Sequence, residues 1–458
     1  MKENRKILIV IEEGPQFFYY KTLIKTLCER GYQVKILFAK REEGILEELG
    51  NEYLKKYPNL SWGKSFYRRG FSKLILHNTR PVLNYRRFLV LKDRPTFYAE
   101  RLKKFLPPWL KPLVRFKFLN VNPLIRTKLA EKLLRSIEAK TKVDERIIAQ
   151  LKEYNPDAVL IAAGNNLGTT SPDYDYVKAA KQLKIKHAFS VFSWDYLETK
   201  GVIHVEPEQM FVWNEAQKNE AVNFLGVSEN KISILGAPQF DDWFQYTIES
   251  ASKSRESFCA YWGLNSEKPI IAYLASAGIF GDETWFLDKV KDSLEDSNDE
   301  FLKEIQIIVR PHPKNNRIFK YYKRKGIILA PRHGALPIAR DAMQLFYDTL
   351  YHASLVISIG TSGFLDAIIA DKPCVTVLAD EYHDIQKEAP HFKHLLRNEV
   401  VAVAKDFDNL LYIIKEILNG KDDYESRRDN FVKAFIRPKG LNISVGETIS
   451  EALDDLMQ

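Results

Sequence analysis

The sequence predicts an α/β protein built from two doubly wound parallel-sheet domains. At 458 residues the chain exceeds the ~250–300 residues at which a single core stops growing. Short Ile/Val/Leu runs alternate with helix-period segments in both halves, and small residues or prolines follow the runs, the pattern of strands joined by crossover helices. With 45% hydrophobic and 28% charged residues, the chain has enough apolar side chains for two cores and enough charge to solvate their faces.

Residues 6–11 read as the first strand. Met1 to Val10 carries charges and a short apolar run, but Glu12, Glu13 and Gly14 cut it off before a signal-peptide core could form. A helical pattern through Leu23, Ile24, Leu27 and Cys28 stops at Gly31, and residues 34–38 form the next strand. This is a βαβ opening.

The net charge of +8 concentrates in an insertion at about residues 62–135, where only Asp93, Glu100 and Glu131 oppose a run of Lys and Arg that includes Arg68, Arg80, Arg86 and Arg87. Phe71, Trp109, Phe116 and other aromatics are interleaved, and Pro95, Pro107, Pro108, Pro112 and Pro123 predict short helices. Such a surface suits anionic lipid headgroups. A solvated face and a nucleic-acid site are the alternatives; no nucleic acid is expected as a partner. No run of about 18 apolar residues occurs, so any membrane contact is expected to be peripheral.

Alternation returns with a helix at 144–154, strands at 158–163 and 186–191 around a helix at 174–183, and strands at 209–212 and 232–235 around a helix at 215–225 that ends at Gly226. The first domain is expected to span 1–238. An aromatic, acidic connection at 239–256 leads into a second domain, 239–435, with strands at 269–274, 305–309, 326–329, 355–359, 374–378 and 400–403. Helices at 410–418 and 448–457 follow, the latter within a closing segment, 436–458. A cleft between the domains is the expected ligand site. Cys28, Cys259 and Cys374 are far apart with no CxxC or Cys/His spacing, so neither a disulfide framework nor a zinc site is expected and a reducing cytoplasm fits.

The sharpest chemical signal is the stretch 358–377, where a buried strand runs into Gly360-Thr361-Ser362-Gly363 and then a helix. Free N–H groups at such a helix start suit phosphate; Thr361 and Ser362 add hydroxyls, and Asp366 could accept bonds from a ribose or merely favour the helix dipole. Arg310-Pro-His312-Pro ends a strand in a rigid turn, making His312 a hydrogen-bond donor and Arg310 a charge clamp for phosphates. Ser276, in the small-residue turn after the 269–274 strand, is a weaker phosphate candidate; GxGxxG is absent there. In the first half, Trp194 could stack on a sugar ring and Asp195 could serve as base, while Glu12 or Glu13 could deprotonate an acceptor hydroxyl. A buried aromatic with a capping Asp, and a solvated acidic loop, are the plain alternatives.

Ser193-Trp-Asp195, Val212-Trp-Asn214-Glu215, Gly236-Ala-Pro238-Gln-Phe-Asp241, Arg310-Pro-His312-Pro and 358–377 together resemble the GT-B glycosyltransferases. More narrowly, they resemble bacterial surface-carbohydrate transferases related to CDP-glycerol glycerophosphotransferases. The resemblance spans about 158–377. It implies two Rossmann-like domains facing across a cleft, with the second binding a nucleotide-sugar donor, the first a carbohydrate or lipid-linked acceptor, and a closing helix returning between them. Thr361 and Ser362 match the phosphate turn; many members carry Glu where this chain has Asp366. Neither metal nor cofactor is implied. The expected activity is metal-independent glycosyl transfer for cell-envelope polysaccharide, at the inner face of the cell membrane. The alternatives are CDP-glycerol-type transfer, nucleotide-sugar 2-epimerisation and a non-catalytic sugar-nucleotide binder.

Overall fold

The computed structural model describes residues 5–12, 14, 16–39, 50–91, 96–116, 120–162, 171–249, 251–277, 281–332, 340–382 and 384–458. It forms two compact units, one of Met1–Asp241 with Phe435–Gln458 and the other of Asp242–Ala434.

In the first unit seven parallel strands, β1 (Lys6–Ile11), β2 (Gln33–Phe38), β3 (Leu60–Lys64), β4 (Ala158–Ala162), β5 (Lys186–Ser190), β6 (Gln209–Val212) and β7 (Ile232–Ile234), lie in the order β3-β2-β1-β4-β5-β6-β7. Both faces of this sheet are covered, which is why β1 is apolar from Ile7 to Ile11. Ile7, Ile9 and Ile11 join Leu23, Ile24 and Leu27 on one face, while Leu8 and Val10 join Ile147, Leu151 and Phe189 on the other. The second unit repeats the plan with β8 (Ile270–Leu274), β9 (Gln306–Arg310), β10 (Ile327–Leu329), β11 (Leu355–Ile357), β12 (Cys374–Val377) and β13 (Ala402–Ala404), ordered β10-β9-β8-β11-β12-β13. In each sheet the strand order reverses direction once, between β1 and β4 and between β8 and β11. The crevice beyond the carboxyl ends of those strands is where doubly wound folds bind ligands.

The C-terminal segment is held on the first unit by Asp241. Its carboxylate accepts the Val445 and Gly446 N–H groups at 2.9 Å each and pairs with Arg437 at 2.8 Å. Val445, Ile449 and Leu453 of the helix Val445–Leu456 then complete the core around β1. Gly236 has φ +107, and a Cβ there would press on Val445 and the Ile436 carbonyl, so this turn requires glycine. The three cysteines are buried free thiols.

The insertion has the expected short helices in its later part, Thr96–Lys103, Lys111–Arg115 and Asn122–Ile125, but not at its start. It opens with one continuous helix, Gly70–Val90, that runs through Pro81, and it packs a small core of its own from Tyr85, Phe88, Tyr98, Leu102, Leu106 and Ile125. Four of its arginines are not surface charges. Arg68 and Arg80 are buried against Asp175, at 2.6 and 3.0 Å, and Arg80 also meets Glu138 at 2.9 Å. Arg86 pairs with Glu131, and Arg87 is consumed by backbone carbonyls. Asp175 and Glu138 lie outside the basic stretch, so counting charges within it could not reveal the pairing. Among the described residues no helix is long and apolar enough to cross a membrane.

Candidate functional site

In the first unit, Glu12 sits at the end of β1 beside the strand-order reversal. It is 2% exposed rather than solvated, and its N–H donates to Gln16 Oε1 at 3.1 Å. Burial, and then the charges of Tyr174, Asp173 and Glu12, hold the Tyr196 phenol well above its ordinary range. Glu12 and Asp173 therefore both act on the start of the helix Tyr196–Thr199, which Asp195 precedes. Asp195 accepts hydrogen bonds from the Ser193 hydroxyl and from Thr199 Oγ1 at 2.9 Å. Trp194 is packed inside the protein. Glu13 lies outside the described residues.

This loop is braced from several directions. Gln217 Nε2 donates to the Ser193 carbonyl at 3.0 Å, and Arg87 donates to the carbonyls of Leu197, Lys200 and Gly201. Tyr98 donates to the buried Glu198 at 2.7 Å, and the Val202 N–H reaches Asn84 Oδ1 at 2.9 Å. A Cβ on Gly201 would collide with the Asn84 side chain. The insertion therefore fixes the loop that carries Asp195.

In the second unit, Ser276 follows β8, Arg310 ends β9 and Gly360–Gly363 follows β11, so three adjacent carboxyl ends carry candidate residues. Arg310 is buried with its guanidinium 4.3 Å from the Phe346 ring centroid, and burial pulls its pKa down to about 10 despite the opposing charge of Asp366. Asp366 is pushed up to about 7, first by desolvation and against the pull of Arg310. The two side chains belong to one cluster. Burial also lowers His312 to about 4, with the Lys314 and Arg310 charges adding to the effect. Its Nδ1 accepts the Lys314 N–H at 3.1 Å, so the neutral ring carries its proton on Nε2 and presents it as a donor.

Gly363 packs so closely on the Leu274 side chain that a Cβ would meet it at 2.9 Å. Its N–H donates to Thr361 Oγ1 at 3.2 Å, which leaves the Thr361 hydroxyl proton for another partner. Ser362 is exposed. Ser276 is engaged: its N–H (2.8 Å) and its hydroxyl (3.2 Å) both donate to Glu283 Oε1. The same carboxylate group accepts from Tyr273 at 2.8 Å and from Asn315 at 3.3 Å, and burial raises its pKa.

No family model matches the sequence, and no curated protein matches it. Solved structures do. A glycosyltransferase from Rickettsia africae ESF-5 superposes with a TM-score of 0.55 over 99% of each chain at 13% identity. A UDP-GlcNAc 2-epimerase from Neisseria meningitidis, bound to UDP-GlcNAc, gives 0.54 at 12% identity over 98% of this chain and 100% of its own. The UDP-GlcNAc 2-epimerase of Methanocaldococcus jannaschii, in complex with UDP-GlcNAc and UDP, gives 0.52 at 16% identity over 98% and 99%. The chain has the GT-B fold.

Within this GT-B chain, the structure gathers Ser276, Arg310, His312, Gly360, Thr361, Ser362, Gly363 and Asp366 in the second unit, and Glu12, Trp194 and Asp195 in the first. Two motifs of the resemblance are structural fasteners. Asn214 caps its helix, accepting the Gln217 N–H at 2.9 Å and donating to the Phe435 carbonyl at 2.8 Å, and Asp241 holds the C-terminal segment. Sequence reasoning missed Glu283, Asn315, Arg87 and Asn84. Glu283 and Asn315 lie in undistinguished stretches, Arg87 and Asn84 lie in the basic insertion whose charges read only as a surface, and in each case the partner is brought to the residue only by folding.

Proposed function

We propose that the protein is a glycosyltransferase that moves a sugar from a nucleotide-sugar donor to a surface-carbohydrate acceptor, either free or lipid-linked. The observation that carries this reading is the set of groups beyond β8, β9 and β11. A guanidinium, an imidazole fixed as an Nε2–H donor and the Thr361–Gly363 turn all complement a diphosphate. UDP and UDP-GlcNAc, which the two epimerases bind, have the chemistry this set would recognise.

In the reaction, Glu12 or Asp195 takes the proton of an acceptor hydroxyl as its oxygen bonds to the anomeric carbon of the donor. The bond from that carbon to the phosphate oxygen breaks, and its electron pair leaves with the nucleoside diphosphate. Arg310, His312 and the turn meet the charge that develops there, so the proposed transfer requires no metal ion. The Glu283 network stiffens the loop at Ser276 from behind.

A second reading, nucleotide-sugar 2-epimerisation, is favoured by the two epimerases that share the fold along nearly their whole length. Product analysis with UDP-, GDP-, CDP- and dTDP-sugars and carbohydrate acceptors separates the readings. The expected result is acceptor-dependent release of nucleoside diphosphate, with kcat falling on the order of a hundredfold or more in Asp195→Asn while donor binding persists. Acceptor-independent inversion at C2 would establish the epimerase instead, and CMP release from CDP-glycerol an alditol-phosphate transferase.

A further inference from the structure

We propose that the first two turns of the helix Gly70–Val90, together with Trp109, form a docking face for an anionic lipid bilayer. Exposed large apolar side chains concentrate in this insertion. Phe71 is 77% exposed, Leu74 57% and Trp109 60%, and Leu124, Leu129 and Leu133 of the same helical insertion are also exposed. In the rest of the described chain most such residues are tyrosines, which keep a polar end in water.

The three side chains form one ridge. At about 100° per residue, Phe71, Leu74 and Asn78 fall within a sector of about 60°. The Trp109 indole N–H donates to Asn78 Oδ1 at 2.9 Å, which places its ring at the end of that row. The indole's one polar atom is thus satisfied by protein while its ring stays exposed, an arrangement suited to the membrane interface.

Charge selects the occupant. Arg69, just before the helix, and Lys73 within it accompany the ridge, and Lys111 and Arg115 follow Trp109. Among the described residues Lys73, Lys111 and Arg115 have no acidic partner, whereas Glu100 and Glu131 are already paired with Lys103 and with Arg86 and Arg135. An apolar ridge set among unpaired cations matches a bilayer bearing anionic headgroups. Two copies of the chain meeting through this face would bring like charges together, and the aliphatic Leu74 offers no base-stacking plane to a nucleic acid.

This docking face is independent of the reaction proposed above, because its test measures binding alone. Flotation of the full chain with phosphatidylcholine vesicles, with and without 30% phosphatidylglycerol, is expected to show binding only to the anionic vesicles, weakening as salt rises. Phe71→Ser/Leu74→Ser/Trp109→Ala is expected to lose at least tenfold in affinity, with thermal stability and circular dichroism unchanged because all three side chains are exposed. Lys73→Gln/Lys111→Gln, which keeps the ridge, is expected to weaken binding at low salt and remove most of its salt dependence. Undiminished vesicle binding by the apolar variant, or no binding by the wild type, would overturn the proposal. So would displacement of the protein from vesicles by single-stranded oligonucleotide that the apolar variant still binds at full strength, which would identify a nucleic-acid surface.

Discussion

His312 and Asp366 respond to pH in opposite senses. His312 has its pKa lowered from 6.5 to about 4 by burial, so its contribution to stability is fully present above 6.5 and is lost as pH falls through about 4. Asp366 is raised from 3.8 to about 7, so its contribution is fully present below 3.8 and is lost as pH rises through about 7. The two oppose each other in the window between. Relative to wild type, His312→Gln should therefore make the melting temperature fall more steeply from pH 4.5 to 6.5, and Asp366→Asn should make it rise. Calorimetry at those two pH values checks this, and parallel slopes for all three proteins would contradict the burial of both groups. The sequence already marked these two residues, since a Pro-flanked His at a strand end and an acid in a first helical turn are local patterns. What it could not give was their state. The Nε2–H tautomer follows from the Lys314 N–H reaching Nδ1, and the elevation of Asp366 from the desolvation of its carboxyl in the folded chain.

At the scale of elements, the arrangement most dependent on one side chain is the fastening of the helix Val445–Leu456 by Asp241. Asp241→Ala would leave the Val445 and Gly446 N–H groups and the Arg437 guanidinium without their acceptor. Removing one partner from a buried charged cluster costs about 3–5 kcal/mol. Hydrogen exchange across 445–456 should accelerate more than across β8–β13, and unchanged protection there would show that the apolar contacts with β1 hold the helix unaided. Helices and strands of this kind were readable where one period dominated, as in the Ile/Val runs of β1, β4 and β8. β3 was not, because Leu-Ser-Trp-Gly-Lys has only two apolar residues, Leu60 and Trp62, too few to establish a period. It is a strand because its backbone pairs with β2. The helix Gly70–Val90 was likewise obscured, since Arg80, Arg86 and Arg87 lie on its buried face and only folding brings them their partners, Asp175 and Glu138 for Arg80, Glu131 for Arg86 and backbone carbonyls for Arg87.

For the whole molecule, the two-domain α/β class followed from length and hydrophobic period, but the strand order did not. That order is what assembles the candidate site. Because β8 and β11 are neighbours although two strands and several helices separate them in sequence, the loops at Ser276 and Thr361 flank one reversal point, and Arg310 and His312 enter from the adjacent β9. The same topology puts Glu12 at the reversal point of the first sheet. A chain laid out differently, with the same motifs at the same spacings, would scatter them. The measurement that tests this most directly is thermal unfolding of wild type and His312→Ala with UDP-, GDP-, CDP- and dTDP-sugars. A ligand at a hundred times its Kd adds about 2.7 kcal/mol of stability. A site assembled in this way predicts a rise of several degrees for wild type with at least one nucleotide sugar and little or none for His312→Ala; no response to any of them, or an equal rise in both proteins, would contradict it.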